Sequence, residues 1–277
     1  MGDIFSAQFI SDEDFYARVV RFKDIFHQDG VVLVNITGNH DVGYGNELRR
    51  DIMERFEGVF GKADDHSVAF GHDVVMLNSL VLDGNLGPEF NQPTVELIER
   101  LAEQRENATR PLILLTHIPM YKPAGVCFDD PEIVRDGWGN IVSQTQLSPE
   151  TTSMLLRRLK PTWILVGHDH EGCYVEHTLD KANRLSRTES VWNAKDGKSR
   201  EVTVRSVMGD YGGNMDLLEI RQTANGYEYH LGSCPFIHFV PVRVLAIVDI
   251  VVLLLISLVA VLVKRRRDSI EWKQKVY

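Results

Sequence analysis

Three short blocks in this chain hold residues suited to charge and proton chemistry: Gly38-Asn39-His40-Asp41, Thr116-His117-Ile118-Pro119 and Gly167-His168-Asp169-His170. They offer four histidines, an asparagine and two aspartates. Imidazole nitrogen with amide and carboxylate oxygen is a donor set for divalent cations such as manganese, iron or zinc. Histidine is also the commonest general acid or base near neutral pH. His168 and His170 alternate on an extended segment, so they can chelate one ion or bridge two. Each block alone has a plainer reading. Gly38 to Asp41 can be a turn, because Gly and Asn tolerate positive φ. His117 alone can be a satisfied structural histidine. The three together, in order, argue for one site.

The surrounding pattern has to bring them together. Each block follows an apolar run: Val31–Asn35, Leu112–Leu115 and Thr162–Val166, each read as a buried strand. In α/β folds functional groups collect outside the carboxyl ends of strands. Helical spacing marks Glu47–Phe60, Thr94–Glu106 opened by Pro93, and Pro149–Leu159 with Ser148 as its N-cap. Further strands are expected at Ser67–Phe70, Val74–Leu80, Tyr174–His177, Val202–Val207, Leu217–Arg221 and Tyr227–Leu231. The stretch from Tyr121 to Leu147 reads as one long loop, and residues 180–200 as a polar insertion or mobile loop. The fold class is α/β.

The net charge is −9, yet the segment from Lys264 to Tyr277 is basic. An acidic body argues against nucleic acid as a partner. Before the tail, Val244–Val263 is an apolar run with one charge, Asp249. At ~1.5 Å per residue it is about 30 Å long, enough to cross a bilayer core. A buried core helix is the competing reading, but core helices rarely lack a polar face. The basic flank Lys264-Arg265-Arg266-Arg267 places the tail in the cytosol and the body in the lumen or outside. Lys273 and Lys275 resemble the dilysine address read by the COPI coat on endoplasmic-reticulum membrane proteins. Residues 1–30 show no apolar signal region. The three cysteines, Cys127, Cys173 and Cys234, allow one internal disulfide at most. Cys127 and Cys173 flank the histidine blocks and can pair in an oxidising lumen. Asn107-Ala108-Thr109 is a glycosylation sequon, whereas Asn35-Ile36-Thr37 sits at a strand end and is expected to be silent.

The blocks resemble those of the calcineurin-like metallophosphoesterases. The stretches "GNHDVGYG", "THIPMY", "GHDHEGC" and "EVTVRSVMGDYGG", with the dilysine tail, are most similar to the endoplasmic-reticulum phosphodiesterases that remove ethanolamine phosphate from GPI-anchor mannoses. The resemblance implies a four-layer αββα sandwich over residues 1–235, a transmembrane helix at 244–263 and a cytosolic tail at 264–277. It implies two divalent ions, manganese first, with iron or zinc as alternatives. Asp3 would bridge them. Asn39, His117 and His168 would hold one ion and His170 the other. His40 would be the general acid, oriented by Asp41. The implied partners are a GPI-anchored protein glycan, the membrane and COPI.

One family block is absent. No D-x-H precedes Asp3, and the segment around it reads Gly2-Asp3-Ile4-Phe5-Ser6 without the family's second aspartate. The expectation is a sandwich lacking its first strand, a gene model or fragment cut short, and a chain inactive as written. The alternatives are a non-catalytic membrane-anchored protein with a binding or trafficking role, and a lumenal phosphoesterase with another substrate.

Overall fold

The computed structural model describes residues 1–106, 109–178, 181–184, 191–193, 198–235 and 239–276. Helix α1 (Asp12–Phe26) opens on Ser11, whose hydroxyl accepts the Asp14 N–H, with Asp12, Glu13 and Asp14 in its first turn. Acidic side chains there oppose the positive end of the helix dipole. A one-turn helix α2 (Asn39–Val42) and α3 (Arg50–Phe60) precede the hairpin β1 (Asp65–Ala69) and β2 (His72–Met76). Then come α4 (Pro88–Arg105), β3 (Leu112–Leu115), a small hairpin of β4 (Ile133–Arg135) and β5 (Ile141–Gln144), and α5 (Pro149–Leu159). Strands β6 (Trp163–Val166), β7 (Cys173–Thr178), β8 (Lys181–Arg184), β9 (Val191–Asn193), β10 (Ser199–Thr203), β11 (Asn214–Thr223) and β12 (Gly226–Pro235) follow, and α6 (Phe239–Val276) closes the chain.

The main sheet has seven strands in the order β1-β2-β3-β6-β10-β7-β8. Its centre, from β2 through β3 and β6 to β10, is parallel. Successive side chains on a strand point to opposite faces. Leu112, Leu114, Ile164 and Val166 therefore join Phe15 of α1, Phe56 of α3, Leu97 of α4 and Leu155 of α5 in one core. Ile113, Trp163 and Val202 face the other way and pack on Tyr229 of β12. Helices thus cover one face and the three-stranded sheet β11-β12-β9 covers the other. The α/β sandwich reading holds, with helix, sheet and sheet layers among the described residues.

Several expected elements differ. Val31–Asn35 forms no strand, and Val32 is 86% exposed. A strand exists only through a partner's backbone, and none of the described strands pairs with it. The 180–200 region is not one loop: β8, β9 and the start of β10 lie in it, while residues 179–180, 185–190 and 194–197 lie outside the description. Helix α4 begins at Pro88 rather than Pro93, which sits inside it. Pro88 fits the first helical position, where no N–H is needed. The long loop after His117 contains the β4–β5 hairpin.

Cys127 and Cys173 form a disulfide with Cα atoms 5.8 Å apart, and Cys234 is free and exposed. The sequon residues Asn107 and Ala108 lie outside the description. In the second sequon Asn35 is half-buried, while Thr37 is fully buried and donates its hydroxyl to Asn78 Oδ1 at 3.2 Å. In α6 the stretch Val242–Ile270 is long and apolar enough to cross a membrane, a wider span than Val244–Val263.

Candidate metal centre

His117 leaves the end of β3 held on both sides. The Thr116 hydroxyl donates to the Leu77 carbonyl at 2.8 Å, and the Ile118 N–H donates to Ser79 Oγ at 2.9 Å. The His117 Nδ1 lies 2.7 Å from the Met1 carbonyl. That contact requires a proton on Nδ1, so Nε2 of the neutral ring is a bare acceptor. His168 follows β6, and its Nε2 lies 2.7 Å from the Gln144 carbonyl. Its proton is therefore on Nε2, and Nδ1 is bare.

The two bare nitrogens face each other at 3.2 Å. Asn39 Oδ1 is 3.1 Å and Asp3 Oδ2 is 3.4 Å from the same His117 Nε2. The ligand atoms of Asp3, His117 and His168 all lie within 4.8 Å of one another. Four acceptors turned to one point repel unless something positive stands among them. A divalent cation satisfies all four, and a second proton on His117 satisfies some. Imidazole nitrogens whose other N–H is tied to a carbonyl are the usual arrangement of metal-binding histidines. The residues present fit one ion.

Charge in the site follows burial. With the second proton on His117, burial works against the Asp3 carboxylate, but the hydrogen bond and charge of that ring and the His40 N–H hold its pKa at about 2. Burial, then the neighbouring charge of His117, pushes His168 down to about 4, so its ring is neutral at pH 7. Asp3 and His168 both adopt left-handed backbone, at φ 53° and 67°. Side chains rarely take that conformation, and functional sites are where such strain persists.

Asp41 serves a different neighbour from the one expected. It is buried, and its carboxylate accepts N–H groups from Ile4 at 2.9 Å, Phe5 at 3.3 Å and Gly38 at 2.9 Å. It clamps the segment bearing Asp3 onto the turn bearing Asn39. His40 points outward from the same helical turn, because adjacent helical residues do not share a face. Its N–H donates to Asp3 Oδ1 at 2.9 Å, while the exposed side chain lines a 520 Å³ cavity with His117, His168, Asp169 and His170. His170 rests on Tyr211 with ring centroids 4.6 Å apart and stands outside the group of three. Burial raises the Asp41 pKa to about 7, against the N–H bond from Gly38.

Gly38 is required by space. A Cβ there would lie 2.1 Å from Asp3 Oδ1 and 2.2 Å from the Asp3 nitrogen. Gly38→Ala is expected to push Asp3 out of the cluster and to cut metal affinity at least ~10-fold, with the helix-facing core left folded. Isothermal titration with manganese, alongside a thermal melt, checks this. Unchanged affinity would contradict the placement of Asp3.

Sequence reasoning missed Gln144 and the Met1 carbonyl. Both act through backbone oxygen, which leaves no mark on residue type. Tyr44, 3.2 Å from both His168 Nε2 and the Gln144 carbonyl, lies within the quoted GNHDVGYG stretch without a role assigned.

A model of the calcineurin-like phosphoesterase family matches residues 1–172. The chain belongs to that family. Asp3, Asn39, His117, His168 and His170 all lie within the matched span. The phosphoesterase is 33% identical to Protein TED1 of Saccharomyces cerevisiae over 227 residues, covering 74% of this chain and 47% of the relative. It is 29% identical to Metallophosphoesterase 1 of Danio rerio over 200 residues, covering 64% and 52%. Cell division control protein 1 of Saccharomyces cerevisiae is 23% identical over 214 residues, covering 74% and 41%. The chain spans about half the length of these relatives. The family to which it belongs is one of phosphoesterases.

Proposed function

We propose that this phosphoesterase cleaves a phosphodiester, and that its substrate is ethanolamine phosphate on a mannose of a GPI anchor. The reading rests on one observation above the rest: the acceptor atoms of Asp3, Asn39, His117 and His168 turned to a single point at a cavity wall. Divalent ions, when bound, acidify a water and neutralise phosphoryl charge. Asp3, Asn39, His117 and His168 hold one ion, and His170 with Asp3 faces the place of a second. Manganese suits the amide and carboxylate oxygens, with iron or zinc as alternatives. His40, exposed in the cavity, donates a proton to the departing alkoxide. Asp41 keeps Asp3 in register from below. The α6 helix anchors the body to the endoplasmic-reticulum membrane with the cavity in the lumen. The disulfide, which suits an oxidising compartment, supports that orientation.

Donor count favours a second reading of residues 1–277. Asp3 and His170 alone are a poor set for a second ion, so this chain holds one ion tightly and turns over slowly or not at all. It would then act as a membrane-anchored binding protein. Release of ethanolamine phosphate from GPI intermediates, followed by mass spectrometry against turnover of an aryl phosphodiester, separates the readings. Release only from GPI supports the proposal, and aryl turnover alone points to another substrate. Neither activity, with one ion bound, supports the binding protein.

The tail address is tested separately. Changing Lys273 and Lys275 to Ala should let the protein reach later secretory compartments. Unchanged residence would remove the COPI partner.

A further inference from the structure

The Gln144 carbonyl lies 2.7 Å from His168 Nε2 and 3.2 Å from the Tyr44 hydroxyl. Its two lone pairs are thus engaged by the His168 N–H and the Tyr44 O–H. A carbonyl so placed decides which nitrogen of His168 keeps the proton and which faces His117. The direction of the carbonyl is itself fixed. Gln144 ends β5, opposite Ile133. Its side chain is buried, and its Nε2 donates to Asp83 Oδ2 at 3.3 Å and to the Gln146 carbonyl at 3.2 Å.

Asp83 is a buried hub. It accepts the Ser148 N–H at 2.8 Å, the Ser148 hydroxyl at 2.7 Å and the Thr151 hydroxyl at 2.6 Å. It therefore ties the end of β5 to the start of α5, whose helical cap is Ser148. His168 sits in left-handed backbone and depends on such external restraint.

We infer that Gln144 is the positioning residue for His168, aimed by Asp83: its side chain anchors the strand end, and its carbonyl presents the bare His168 Nδ1 to the site. This rests on the metal reading of that site, although the tautomer claim stands by itself. The β4–β5 hairpin then has a function beyond filling a loop, because it carries the part that orients a ligand.

The test uses the full chain in detergent or nanodiscs, without metal and then titrated with manganese. Nitrogen-15 spectra of the histidines report the tautomer, and calorimetry reports affinity. Wild type is expected to show His168 as the Nε2–H form. Gln144→Met, which keeps the backbone and side-chain volume, should mix the tautomers of His168 and weaken manganese binding ~10–100-fold, with the His117 Nδ1–H signal unmoved. A merely structural residue would lower the melting temperature and leave the tautomer alone. Unchanged tautomer and affinity in Gln144→Met would overturn the inference. If that variant does not fold, wild type still decides, since a protonated Nδ1 on neutral His168 contradicts it. Wild type that binds no manganese but shows the Nε2–H form defeats the metal reading and keeps the positioning one.

Discussion

His117→Ala and His168→Ala should each lose bound metal and hydrolysis while the sheet stays folded. These are the largest functional effects the structure predicts. Each substitution removes a ring nitrogen that, among the described residues, faces other acceptor atoms of the cluster. His117 Nε2 is the centre of the cluster, within 3.4 Å of Asp3, Asn39 and His168 atoms. Affinity should fall by more than ~10²-fold, beyond what an outer partner costs. His40→Ala should behave differently, keeping metal and losing rate by ~10²–10⁴-fold, if His40 acts as the general acid proposed above. Elemental analysis of each purified variant, with circular dichroism as the fold control, checks the split. Full metal content in His117→Ala would remove the assignment.

The second large effect concerns stability, away from the site. Glu201 of β10 is buried between Lys122 and His177, with contacts of 2.5 Å and 2.8 Å. Burial alone would raise the carboxyl, but the charges of Lys122 and His177 hold it at about 2. Lys122→Met leaves a carboxylate in the interior with one partner lost. Breaking such a pair costs about 3–5 kcal/mol, a large part of a domain's stability. The linkage has a definite sign. A carboxyl lowered on folding contributes stability that is present above its unfolded value of 4.5 and lost as pH falls toward 2. Chemical denaturation of wild type should therefore weaken between those values. Lys122→Met should have a smaller slope there. Equal stability of wild type and variant at pH 7 would contradict this account of the triad.

That triad also shows where sequence reading fails. Strand β10 lies between β6 and β7, and all five of its residues are buried. Its residues Ser199, Arg200 and Glu201 are polar, so no apolar run announces them. Distant residues supply partners: the Ser199 hydroxyl donates to the Pro161 carbonyl at 2.6 Å, and Glu201 pairs with Lys122 and His177. Val31–Val34 shows the opposite error. Four apolar residues read as a buried strand, yet they stand exposed without a ladder. Hydrophobicity marks what can be buried, while pairing needs a partner backbone. Helix α5 was legible to the residue, since Ser148 caps it and Pro149 starts it with local chemistry. Helix α1 was not anticipated, although Ser11 and the acids after it carried the same kind of signal.

The site divides along the same line. That Asn39, His117 and His168 lie together was expected from side-chain type and order, and that Asp3 joins them from the family resemblance. The clamp by Asp41 was not, because its partners are the N–H groups of Ile4, Phe5 and Gly38. Nor was the proton placement on each histidine, which two backbone carbonyls fix.

Anomalous diffraction from crystals grown with manganese tests the central claim most directly. The account predicts a peak within bonding distance of Asp3 Oδ2, Asn39 Oδ1, His117 Nε2 and His168 Nδ1. A well-ordered map with no peak there, or with manganese bound only elsewhere, would contradict it.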